Sequence, residues 1–81
     1  MSVRSTIESE IRIVAKEQGR RLAPLNDDMA LLDTGLDSLC LAVLVVRLES
    51  EFGVDPLSDV GPEEAPQTLG EFIQLYETAL A

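Results

Sequence analysis

The stretch TGLDSLCLAVLVVRLESEFG, residues 34–53, decides the fold. Its apolar run from Leu39 to Val46 is rich in β-branched residues and on its own reads equally as a buried strand. Two features select a helix. Asp37 is a good N-cap, and Leu41, Leu44/Val45, Leu48 and Phe52 continue a three-to-four spacing until Gly53 stops it. No second strand candidate exists to pair with it, so the sequence predicts a helix over 38–52.

The flanks extend the same pattern. Upstream, Ser5 and Glu8 have capping-box spacing, and a helix is expected to begin near Ser2–Ser5. Val3, Ile7, Ile11 and Val14/Ala15 form its apolar stripe and Gly19 its stop. Residues 20–36 make a long connection, expected to be held to the core by Leu22, Leu25, Met29, Leu31 and Leu32. Downstream, Asp55-Pro56 opens a short helix over 56–60, and Gly61-Pro62 and Pro66 break the chain after it. Thr68 and Glu71 form a second capping box ahead of Leu69, Phe72, Ile73, Tyr76 and Leu80. The expectation is a single all-α domain over 1–81, a small four-helix bundle with a short third helix and a long loop between helices one and two.

Composition narrows the function. The 81 residues carry a net charge of −9, which disfavours nucleic acid and anionic membranes as partners. Residues 1–21 sum to +2 and residues 22–81 to −11, Arg47 being the one base beyond Arg21. Histidine is absent, which removes the His-based catalytic arrangements and His-ligated zinc. Cys40 is the one cysteine, so no internal disulfide can form, and no base is at hand to activate it. It reads as a small apolar residue near a docking face, where an exposed thiol would dimerise on storage. A non-enzymatic, cytoplasmic, monomeric protein without metal is expected.

On a helical wheel, Leu41, Leu44, Val45, Leu48 and Phe52 share one side of the second helix. Leu39, Val43 and Val46, with Ala42 beside them, fall on roughly the opposite side. Unless Leu32 or Leu36 covers it, this second strip is exposed and suits a protein contact, with Arg47 and Glu49 at its border. The strip starts beside Ser38, in the first helical turn, where free backbone N–H groups and the helix dipole would favour a phosphate. Composition and spacing alone nevertheless favour reading Ser38 as a second capping residue or an ordinary surface serine.

Gly35-Leu36-Asp37-Ser38-Leu39 resembles the attachment motif of the acyl carrier protein family, whose serine receives a 4′-phosphopantetheine arm. The resemblance covers nearly the whole chain: an upstream amphipathic helix, Leu31-Leu32 in the long loop, L-E-x-E-F-G-V at 48–54, and T-L-x-E-F at 68–72. It implies a carrier that holds acyl or aminoacyl intermediates as thioesters on an arm derived from coenzyme A. Ser38 would be the attachment point and Asp37 would help the magnesium site of the attachment reaction. Leu39, Ala42, Val43, Val46 and Arg47 would form the docking surface. The implied partners are a phosphopantetheinyl transferase, an acyl- or aminoacyl-loading ligase and downstream acyl-processing enzymes. Fatty-acid-synthesis carriers usually place acids on that outer face, whereas this chain has Cys40, Ala42, Val43, Val46 and Arg47. The departure implies a specialised stand-alone member, loaded by a dedicated adenylating ligase, or a carrier in a polyketide- or peptide-type pathway.

Two other classes compete. A cofactor-free interaction module would use the same apolar strip. A hydrolase reading from the superficial likeness to the G-D-S-L of some esterases fails, because Leu36 interrupts the motif and there is no histidine. Asp27, Asp28 and Asp33 lack calcium-loop spacing.

Overall fold

A computed structural model describes residues 2–61 and 63–81, with Asp59 by its backbone alone. Three α-helices form: α1 (Val3–Glu17), α2 (Ser38–Phe52) and α3 (Leu69–Leu80). Two 3-10 turns, Leu31–Asp33 and Pro56–Asp59, lie in the connections, and no strand occurs among the described residues. The element expected at 56–60 is thus a four-residue 3-10 turn. Pro56 presets its first position, but the Asp55 side chain makes no capping hydrogen bond. Pro62, expected to help end that element, lies outside the described residues. No described helix is long and apolar enough to cross a membrane.

The core is where the three apolar stripes meet. Ile7, Ile11 and Val14 of α1 pack with Leu44 and Leu48 of α2 and with Phe72, Ile73 and Tyr76 of α3, all 0–2 % exposed. Each fully buried aliphatic contributes about 1.5–3 kcal/mol. The Tyr76 ring stands tilted against Phe72 and Phe52, at centroid distances of 5.2 and 5.8 Å. Of the loop residues expected to hold the connection, Leu22, Leu25, Met29 and Leu31 pack on this core, while Leu32 is 62 % exposed.

Helix ends follow the sequence signals with one correction. Asp37 caps α2, Gly53 ends it at φ 74°, and Thr68 with Glu71 closes a reciprocal box at α3. At α1, however, the cap is Ser2, whose Oγ accepts from the Ser5 N–H at 3.0 Å. Ser5 is already helical, because Val3 packs against the core and draws the first turn in. The first free N–H groups of α3 are met by the long connection: Leu69 donates to the Met29 carbonyl and Gly70 to that of Asp27, both at 2.9 Å. The bidentate Arg4–Asp27 ion pair, at 2.7 and 2.9 Å, fastens the same loop to α1.

Candidate functional site

The residues before Ser38 are fixed by backbone geometry. Gly35 has φ 109°, and a β-carbon there would fall 2.3 Å from the Arg21 carbonyl oxygen. Only glycine permits this approach. It lets residues 21–23 run directly behind the motif, where the Ala23 N–H donates to the Thr34 carbonyl at 2.9 Å. Thr34 is buried; its hydroxyl donates to the Leu31 carbonyl at 2.6 Å and accepts from the Leu36 N–H at 3.4 Å. Leu36, 2 % exposed, is set in the core. The chain therefore enters α2 from a fixed point.

Asp37 then caps the helix. Its Oδ1 accepts from the Cys40 N–H at 2.9 Å, and its Oδ2 pairs with the Arg20 guanidinium. The hydrogen bond from Cys40 chiefly holds its carboxyl below the usual carboxylate range, with the Arg20 charge acting in the same direction. Ser38 follows as the first helical residue and is exposed. An oxygen at this place meets the positive end of the α2 dipole.

The structure redraws the wheel of α2. Cys40, Leu44 and Leu48 are its buried centre, with Leu41, Val45 and Phe52 partly buried on one flank and Val43 on the other. Cys40, expected near the exposed face, is 1 % exposed, so no thiol is offered for dimerisation. The reason is geometric: α2 packs closely on α1 while its Phe52 ring meets Tyr76 of α3 at 5.8 Å, so the buried arc is wider than one stripe. Leu39 and Val46 remain 66 % and 64 % exposed, with Ala42 exposed between them. Neither Leu32 nor Leu36 covers this strip, since one points to solvent and the other lies in the core. Arg47 is not at its free border, because it donates to Glu10 at 2.6 Å and reaches Glu17 at 3.5 Å, both on α1.

On the other side of Ser38 runs an apolar groove. One part, about 500 Å³, is lined by Leu31, Leu32, Leu41 and Pro66 with Ser38 at its edge. A second part, about 330 Å³, shares Leu31, Ser38, Leu41 and Pro66 and continues past Val45, Leu57 and Phe72. The hydroxyl thus stands where a helix start meets an oily channel. That geometry suits a phosphate-linked arm with an apolar load, so the residues present fit a phosphopantetheine group. The sequence points to Asp37, Ser38 and the strip, of which Val43 and Arg47 are half-buried, and carries no sign that Arg20 and Thr34 pack beside them. Arg20 is 17 residues from its partner, and only a tertiary contact brings the two together.

Among the described residues no cluster of three His, Cys, Asp or Glu side chains could hold a metal ion. The family described as "phosphopantetheine attachment site" matches residues 11–61. The chain is 41 % identical over 56 residues, 69 % of its length, to a non-reducing polyketide synthase of Byssochlamys spectabilis. It is 35 % identical over 66 residues, 82 % of its length, to an atrochrysone carboxylic acid synthase of Aspergillus chevalieri. To an acyl carrier protein of Rickettsia bellii it is 37 % identical over 57 residues, 68 % of its length. It spans 2 % and 4 % of the two synthases and 70 % of the carrier protein. No solved structure gives a significant match. The chain belongs to the phosphopantetheine attachment family, carrier domains that are not themselves catalytic and bear a covalently attached 4′-phosphopantetheine.

Proposed function

We propose that Ser38 carries the arm and that the chain holds acyl intermediates as thioesters on it, presenting them to successive enzymes. The observation that carries this reading is the exposure of Ser38 in the first turn of α2, between a buried Leu36 and a buried Cys40. In the attachment reaction the Ser38 Oγ loses its proton and bonds to the phosphorus bearing pantetheine, and adenosine bisphosphate leaves coenzyme A. Asp37 would contribute its carboxylate to the magnesium site that a phosphopantetheinyl transferase assembles. When bound, the group supplies a terminal thiol for thioester chemistry. Every other contribution is this chain's own: the rigid entry through Thr34 and Leu36, the capped helix start, and the groove beside it.

The docking face for those enzymes is the strip of Leu39, Ala42 and Val46, with Val43 at its half-buried flank. Arg47 borders it while tied to α1. Its apolar character, together with relatives named as polyketide synthases, supports a polyketide-type acyl cargo over housekeeping fatty-acid synthesis. We take the Pro56–Asp59 turn as the counterpart of the short third helix in the family's four-helix bundle, and residues 1–81 as one carrier domain. To test the function, the arm-bearing protein is offered an activated acyl donor and a loading enzyme. A single acyl adduct released by neutral hydroxylamine is expected, and an adduct resistant to it contradicts a thioester carrier.

A further inference from the structure

Arg20 stands out among the charged groups near Ser38, because its position is fixed from both sides. Its N–H donates to the Ala15 carbonyl at 2.7 Å while the Gly19 N–H donates to Lys16 at 3.3 Å, with Gly19 at φ 67°. This is a Schellman ending of α1, which turns the chain so that residue 20 faces the start of α2. Immediately afterwards the Arg21 carbonyl is pressed against Gly35. The guanidinium is thus delivered to Asp37 by backbone geometry, yet its side chain stays 46 % exposed and can readjust.

The charges around it give that position a purpose. Asp37 cannot turn away, because its other oxygen caps the helix through Cys40. Residues 22–46 contain four acids and no base. A phosphodiester on the next residue adds an anion beside a carboxylate that is held in place. Repulsion between the two would push the link off the helix start and loosen the cap.

We propose that Arg20 is the positioning counter-ion of the attachment serine. It holds Asp37 in the unmodified chain and is shared between Asp37 and the anionic link once Ser38 carries the arm. This rests on the assignment of Ser38 as attachment point. It gives the end of α1 a part in aiming the arm, although α1 supplies no residue of the motif.

The test compares wild type, Arg20→Gln, Arg20→Lys and Arg12→Gln, each with and without the arm. Arg12 is an exposed α1 base and controls for the loss of one positive charge. Intact mass and fragmentation first establish the arm and its position. Thermal unfolding and the ³¹P resonance of the link are then measured for each pair. Arm attachment is expected to lower the Tm of Arg20→Gln by about 2–5 °C more than that of wild type. The ³¹P resonance should be displaced in that variant, while Arg20→Lys and Arg12→Gln follow wild type. Salt at about 1 M should remove the difference. Equal responses in Arg20→Gln and Arg12→Gln overturn the counter-ion role and leave the attachment site standing. Failure of wild type to take the arm at Ser38 overturns both.

Discussion

Arg47 donates to Glu10 at 2.6 Å, and this contact joins α2 to α1 across 37 residues. Glu10 is only 8 % exposed, so its carboxylate depends on this partner. Removing the guanidinium leaves the Glu10 side chain at the edge of the core with no partner of opposite sign among the described residues. Arg47→Gln is expected to lower the Tm by ~3–6 °C without affecting arm attachment at Ser38, as read by thermal unfolding and intact mass. An unchanged Tm would show that the pair contributes nothing to joining the helices.

Gly35 is the position least tolerant of change near the site. Gly35→Ala places a methyl group against the Arg21 carbonyl and forces a left-handed φ on an L-residue. The expected cost is about 2–4 kcal/mol, measured as a lower urea midpoint with an unchanged slope. A cost under about 1 kcal/mol would mean that residues 21–23 do not brace the motif.

Much of this arrangement is legible in the sequence, and the illegible part has a common cause. Asp37, Gly53, Thr68 and Glu71 act within one turn of their own helix, so local spacing identifies them. The azimuth of α2 is different. Eight consecutive apolar residues leave the wheel without a sharp centre, so Cys40 reads as outer and Val43 as exposed. Close packing on α1, with Phe52 reaching Tyr76 of α3, turns Cys40 into the core and half-buries Val43. Arg20 and Arg47 likewise look like free surface bases until tertiary structure supplies Asp37 and Glu10.

The corrected azimuth separates two neighbouring substitutions. Val46 is 64 % exposed, so Val46→Glu should change stability by less than ~0.5 kcal/mol while weakening capture by a partner enzyme. Val43 packs on the core, so Val43→Glu should cost about 1–3 kcal/mol. Urea unfolding and a binding titration distinguish them. Because the strip is apolar, salt should weaken partner binding only modestly. Unimpaired binding by Val46→Glu would remove this strip as the docking face.

Tyr76 is the one tyrosine and reports the core directly. Burial, and then the negative charges of Asp55 and Glu49, push its phenol up to about 12. A phenol that ionises later in the folded state stabilises the fold fully below about 10, its unfolded value. That stabilisation is lost as pH rises through about 12. Tyrosinate absorbance should therefore lag well behind that of the urea-unfolded chain in an alkaline titration. Coincident curves would place the ring in solvent.

The attachment assignment is tested most directly by weighing the protein after incubation with coenzyme A and a broad-specificity phosphopantetheinyl transferase. A gain of one phosphopantetheinyl group is expected, located on Ser38 by fragmentation and absent from Ser38→Ala. No gain in wild type, or the same gain in Ser38→Ala, would contradict it.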